Sequence, residues 1–302
     1  MEIRSEAAAL TREWQEWVGD YGPEEALWCV SERDGSLQVD GPSGEHHSFK
    51  VLPGPLPDGR EVRLDEGGRC LKLGTETFER FVPRQGEEYR LPDPGDVEEL
   101  LFRASRAEPK LRLGAQDEAD FVDLSTLGDS VRADVRYATD QNFVGAPMYK
   151  VARALLQRPA AEALTRVAER LSKRGLGLWV YDAYRPWHVT WLFQEVTPEH
   201  LRRYVADPER GSRHNRGCAI DLTLFDLEMG QVLPMPCGFD EFSRRAHADY
   251  EGGTGEQRQN RALLREVMEA EGFAMFAFEW WHFDHERWED YPPFDLRLDE
   301  IG

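Results

Sequence analysis

Ser212-Arg213-His214-Asn215-Arg216-Gly217-Cys218-Ala219-Ile220-Asp221 carries an imidazole and a carboxylate on either side of a glycine. On one straight strand the seven steps from His214 to Asp221 would span roughly 20 Å or more, at about 3.3 Å per residue. That is too far for two ligands of one ion, so Gly217 is expected to allow a turn or bend that brings both side chains to one centre. Asp221 is then expected to open the strand Asp221-Leu222-Thr223-Leu224. A bare carboxylate is expensive to bury beside such apolar residues, and a metal ion is a ready compensation. Further on comes Glu279-Trp280-Trp281-His282. Glu279 and His282 have opposite parity, so a flat strand would point them to opposite faces, and a kink or two directions of approach is needed. The two tryptophans between them make a dry wall, which raises the pKa of a glutamate toward the range of a general base. Together these residues supply two imidazoles, one metal-competent carboxylate and one further glutamate. Such a set suits a three-ligand zinc site with a spare carboxylate for proton transfer, the minimum for hydrolysing an amide with water.

Asp182-Ala183-Tyr184-Arg185-Pro186 follows the apolar run Leu176–Tyr181. An arginine at the end of a strand, before a proline that stops it, is placed to reach over a pocket and stabilise developing negative charge. Read singly, each piece has a plainer alternative. Asp221 is then a carboxylate satisfied by backbone donors, Glu279–His282 a core aromatic strand with an incidental histidine, and Arg185 a solvated ion-pair partner.

The bulk properties narrow the field. A chain of 302 residues that is 40% hydrophobic, with nine Trp and fifteen Phe, is long enough for one large domain or two smaller ones. A formal charge of −20 argues against nucleic-acid binding, because phosphates would find no basic stripe. No run reaches the roughly 18–20 apolar residues that span a bilayer. Met1–Glu6 lacks a basic segment followed by an apolar one, so the expected location is cytoplasmic, or periplasmic if a leader has been trimmed. The four cysteines, Cys29, Cys70, Cys218 and Cys237, have no CxxC spacing. They are expected as reduced thiols, with Cys29–Cys70 and Cys218–Cys237 as the alternative pairing.

Two textures divide the chain. Leu10, Trp14, Trp17 and Val18 predict a short helix over Ser5–Val18, ended by Gly19-Asp20-Tyr21-Gly22-Pro23. Short strands follow at Leu27–Glu32, Ser36–Val39, Ser48–Leu52, Glu61–Leu64, Arg69–Leu73 and Phe78–Val82. Asp34-Gly35, Asp40-Gly41, Pro57-Asp58-Gly59 and Gly67-Gly68 are the expected turns. His46-His47 is expected in a solvated loop. Asp96 caps a helix near Val97–Ser105. A small β-rich accessory domain is therefore expected over residues 1–110, and a mixed α and β catalytic domain over 111–302. In the latter, helices are predicted at Val151–Leu156, Pro159–Leu171, Trp187–Glu195 and Gln257–Ala270, and strands at Gly175–Asp182, Cys218–Phe225 and Ala277–Phe283.

In combination, SxHxxGxAxD (Ser212 to Asp221), ExWH (Glu279 to His282) and DxYRP (Asp182 to Pro186) resemble the VanX-type D-Ala-D-Ala dipeptidases. These belong to a zinc peptidase superfamily with D,D-carboxypeptidases, lysostaphin-like endopeptidases and the Hedgehog signalling domain. The similarity runs from about Phe121 to Tyr291. It includes Asp134-Val135-Arg136-Tyr137-Ala138-Thr139, then Asn142-Phe143, and Pro234-Met235 leading to Phe239-Asp240. The resemblance implies an α+β fold of the Hedgehog/D,D-peptidase type with a central antiparallel sheet, preceded here by the small antiparallel β domain. It implies one zinc ion per chain on His214, Asp221 and His282, with Glu279 as catalytic base and Arg185 as transition-state stabiliser. Tyr137 and Asp240 would bind the dipeptide ammonium, with Asp182 and Ser212 lining the site. The implied partner is a small dipeptide, with no nucleic acid or membrane. The implied reaction is hydrolysis of D-Ala-D-Ala and related D,D- or L,D-dipeptides, in the setting of peptidoglycan and the cell wall. The alternative is a D,D- or L,D-carboxypeptidase acting on peptidoglycan stem peptides.

Overall fold

The computed structural model describes residues 17–23, 26–33, 36–49, 54–65, 69–81, 90–91 and 94–302. Most of the expected N-terminal helix, the Asp34-Gly35 and Gly67-Gly68 turns, and Leu52 and Val82 lie outside them. The chain divides into two units, Met1–Arg84 with Pro234–Pro236 and Tyr250–Asn260, and Gln85–Leu233 with Cys237–Asp249 and Arg261–Gly302. The sequence puts the division near residue 110, whereas residues 85–110 fall in the second unit.

In the first unit, β1 (Gly19–Tyr21), β2 (Trp28–Arg33), β3 (Ser36–Asp40) and β4 (His46–Phe49) form one antiparallel sheet in chain order. A second such sheet holds β5 (Gly54–Pro55), β6 (Glu61–Leu64), β7 (Cys70–Leu73) and β8 (Glu76–Glu79). Alternation decides what is buried: Val62 on β6 and Leu71 and Leu73 on β7 point inward while Arg63 and Lys72 point out. They share one core with Val30, Leu37 and Val39 from the first sheet. Two expectations change here. Gly19–Tyr21, read as a helix terminator, is a strand paired to β2, and His46 and His47 lie on β4, with His46 Nδ1 against Asp40 Oδ1.

The second unit begins with helix α1 (Val97–Ala104), whose first turn is capped by Asp96 accepting from Glu99 N at 3.0 Å. Strand β9 (Phe121–Asp123) follows, then β10 (Val131–Ala133), then β11 (Leu155–Gln157), which pairs antiparallel with β9. The predicted helix over Val151–Leu156 is thus absent. A short apolar run cannot tell strand from helix by period alone, and here pairing with β9 settles it. Helix α2 (Arg158–Ser172) starts at a proline and buries Ala160, Ala163, Leu164, Val167 and Leu171 along one stripe. Strand β12 (Leu176–Asp182), helix α3 (Trp187–Val196), strand β13 (Ala219–Asp226), and strands β14 (Phe273–Met275) and β15 (His282–His285) complete the unit, and helix α4 (Gly255–Glu269) belongs to it from Arg261 onward.

Its main sheet has the order β10-β12-β13-β15-β14, antiparallel throughout except for the parallel pair β10–β12. This is the α+β architecture with a largely antiparallel central sheet that the sequence implies. Along β12 and β13, Leu178, Val180, Leu222 and Leu224 are completely buried. Toward the C-terminal end of β12 an irregularity between Val180 and Asp182 re-aims the strand, so that Asp182 pairs with Asp221. Asp221 in turn pairs with His282 on β15. Three polar side chains therefore stand in one row across three neighbouring strands.

Candidate active site

The turn expected at Gly217 is present. His214–Arg216 is a single 3-10 turn, and Gly217 ends it in the left-handed region at φ 67°. A Cβ there would stand 2.4 Å from Phe121 Cε1, so the position excludes a side chain on two grounds. The chain then enters β13, where Asp221 is the third residue and not the first. His214 is thereby folded back toward Asp221.

The parity problem at Glu279–His282 resolves through a turn. The expected strand over Ala277–Phe283 does not exist: β14 ends at Met275, β15 starts at His282, and residues 276–281 form the connection. Trp280 and Trp281 misled the prediction because they are buried to 2% exposure although they lie in a turn. Released from strand geometry, Glu279 Oε2 comes within 3.7 Å of His282 Nδ1.

His214 Nε2, His282 Nδ1 and Asp221 Oδ1 converge. His214 Nε2 is 3.0 Å from His282 Nδ1 and 3.3 Å from Asp221 Oδ1, and His282 Nδ1 is 3.0 Å from Asp221 Oδ1. The outer nitrogens are occupied. His214 Nδ1 donates to the Ala183 carbonyl at 2.6 Å, and His282 Nε2 donates to Asp284 Oδ1 at 3.0 Å. Each ring, when neutral, therefore turns a lone pair inward, toward a carboxylate oxygen. Three acceptors so close need positive charge between them, supplied either by a proton on His282 or by a metal cation. Burial opposes charging His282, but Asp284 and Asp221 outweigh it and push its pKa well up. Burial would likewise raise Asp221, yet His214 and His282 hold it below the usual carboxylate range. A tetrahedral zinc with bonds of roughly 2.0–2.1 Å needs donors about 3.3 Å apart. The donor types, the spacing and the outer hydrogen bonds fit such an ion.

Around this triad lies a cavity of about 440 Å³. Tyr137, Arg185, Ser212, Asp240 and Glu279 line it together with the three converging residues, whereas Asp182 stands behind Arg185. Arg185 approaches Asp182 Oδ2 through Nε at 2.9 Å and Nη2 at 2.8 Å, and its Nη2 reaches Asp221 Oδ2 at 3.4 Å. Its guanidinium also lies over the rings of Phe193 and Tyr137, at 4.8 and 5.0 Å. Asp182 is thus a positioning group for the arginine. Ser212 plays a local part, its Oγ accepting from His214 N at 3.2 Å.

Tyr137 donates its hydroxyl to Asp240, 3.0 Å from each carboxylate oxygen. Asp240 has a φ of 59°, the sole non-glycine with positive φ among the described residues. Such a conformation is uncommon and is retained where surrounding structure over-determines it. Burial pushes the Asp240 carboxyl well above its ordinary range, with the Asp221 charge adding to it. Burial also pushes Glu279 up, to about 7; His282 opposes this and Asp221 reinforces it. All four cysteines are free, and Cys218 lies buried beside the turn without joining the triad.

Three supporting residues escaped the sequence reading. Asp284 had a signal: it lies two residues after His282 on one strand, hence on the same face. Tyr149, whose hydroxyl donates to Asp182 at 3.0 Å, is 33 residues away from it and had none. Asn215 had little. Its Nδ2 donates to the Arg185 carbonyl and to Thr190 Oγ1, each at 2.8 Å, and so ties the histidine turn to the arginine loop.

The model of a family described as D-ala-D-ala dipeptidase matches residues 117–292. The chain is 38% identical over 176 residues to the D-alanyl-D-alanine dipeptidase of Escherichia coli, covering 58% of this chain and 90% of that one. It is 35% identical over 187 residues to the D-alanyl-D-alanine dipeptidase of Enterococcus faecium, covering 55% of this chain and 91% of that one. A solved structure of the LdcB LD-carboxypeptidase matches 61% of this chain and 78% of that one at 14% identity, with a TM-score of 0.32.

Proposed function

The chain belongs to the D-Ala-D-Ala dipeptidase family of metallopeptidases, and from that premise we propose that it hydrolyses D-Ala-D-Ala to two D-alanines at a zinc site. His214 Nε2, Asp221 Oδ1 and His282 Nδ1 would hold the ion. The observation that carries the reading is the meeting of these three acceptors with both outer imidazole nitrogens already engaged. Zinc, when bound, supplies Lewis acidity that polarises an amide carbonyl and makes water easier to deprotonate.

The remaining work belongs to the protein. Glu279 takes a proton from water as the water oxygen bonds to the scissile carbonyl carbon. It then delivers that proton to the leaving amine nitrogen as the C–N bond breaks. A glutamate whose pKa burial has brought to about 7 is suited to both transfers. Arg185, locked in place by Asp182, sets its positive charge against the carbonyl oxygen that becomes negative. Asp240 and Tyr137 receive the substrate ammonium. A buried carboxyl there, drawn into its charged form by an arriving ammonium, favours a free amino terminus and leaves longer peptides without that partner, which restricts the reaction to dipeptides.

The test sets D-Ala-D-Ala against a pentapeptide ending in D-Ala-D-Ala, with zinc content measured on the same preparation. Release of D-alanine from the dipeptide alone, with one zinc per chain, is the expected result. Cleavage of the pentapeptide at equal rate would replace this reading with a carboxypeptidase.

A further inference from the structure

Besides Arg185, four arginines, Arg203, Arg210, Arg213 and Arg216, line the same cavity as Glu279 and Asp240, in a chain whose formal charge is −20. Two of the four are committed. Arg213 lies 3.4 Å from Asp284 and over the Trp288 ring. Arg216 donates to the Tyr291 carbonyl and also lies over Trp288. Arg203 and Arg210 differ. Both are exposed, and neither has a carboxylate partner among the described residues. Arg203 only lies over the Tyr204 ring, with Nη2 3.4 Å from that hydroxyl. With 57 acidic residues against 37 basic ones, a neighbouring carboxylate is easy to find on this chain. A pair of arginines left without one, on the wall of the cavity that holds the triad, is a ready receptor for an anion brought by a ligand. The planar guanidinium fork matches a carboxylate in particular.

We propose that Arg203 and Arg210 hold the C-terminal carboxylate of the substrate, so that the cavity reads both charged ends of a dipeptide. The inference rests on the dipeptidase reading above. A zwitterionic dipeptide carries its two charges about 7 Å apart when extended, and the cavity presents carboxylates at Asp240 and Glu279 as well as these arginines. The arginines also reverse, locally, the repulsion that so acidic a chain exerts on an anion. A peptide that continues past its second residue offers a neutral amide in place of the carboxylate, and both arginines then gain nothing.

Wild type, Arg210→Ala, the double variant Arg203→Ala/Arg210→Ala, and Arg210→Lys are assayed on D-Ala-D-Ala and on its C-terminal amide, at low and high salt. Wild type is expected to prefer the free acid. In the double variant kcat/KM on the acid falls roughly 10- to 100-fold, mainly through KM, and the acid-to-amide ratio collapses toward one. Arg210→Lys recovers part of the ratio, and salt weakens the acid substrate more than the amide. An unchanged ratio in the double variant overturns the proposal, whether both substrates suffer equally or neither does. A wild type inert toward the dipeptide overturns the dipeptidase reading, and this inference with it. An active wild type with an unchanged ratio in the double variant overturns this inference alone.

Discussion

In the first unit the buried cluster is made of Val30, Leu37, Val39, Val62, Leu71, Leu73 and similar side chains. In the second, the sheet that buries Leu178, Val180, Leu222 and Leu224 carries Asp182, Asp221 and His282 in one row across its strands, all at most 9% exposed. Apolar burial stabilises in rough proportion to area. Buried charges cost free energy unless each meets a partner. The second unit meets that condition with Arg185 against Asp182, His282 against Asp284 and Tyr137 against Asp240. One end of a sheet can therefore gather paired charges for chemistry while its apolar residues keep it folded. The first unit carries no comparable set of converging acceptors among its described residues.

That contrast can be broken in graded steps. His282→Ala removes one of three donors, and both metal content and turnover are expected to fall to background, as measured by elemental analysis beside a D-alanine assay. Glu279→Gln is expected to lower kcat roughly 1000-fold while zinc stays bound; full activity in this variant removes the assignment of the base. Arg185→Ala should cost about 3–4 kcal/mol of barrier, or roughly 100- to 1000-fold in kcat, with binding of the ion unaffected. Asp284→Asn leaves His282 without its carboxylate partner, and zinc affinity in a competition titration should weaken about 10- to 100-fold. Leu71→Ala sharpens the contrast from the other side. It should cost about 2–5 kcal/mol in a denaturant titration and leave kcat of the folded protein within about twofold.

How much of this was legible depended on whether a residue's partner is local. The bend at Gly217 could be read from spacing, because seven extended residues cannot serve one ion. The alternation along β6 and β7 could be read for the same kind of reason. Trp280 and Trp281 defeated the reading, since an apolar pair signals burial and burial is not confined to strands. Leu155–Gln157 defeated it too, because its strand state comes from β9, some thirty residues earlier. Tyr149 acts through a hydroxyl on a residue far along the chain, and its own neighbourhood gives no hint of it. The irregularity that seats Asp182 opposite Asp221 is invisible in composition altogether.

The direct pairing of Asp221 with His282 has a consequence for how the molecule matures. Sliding one of these strands by a single residue would invert every side chain along it. The three converging acceptors would disperse at the same moment as Leu222 and Leu224 changed faces of the sheet. A chain zipped out of frame is thus catalytically silent as well as unstable, and specific activity per mole of protein counts the correctly threaded molecules.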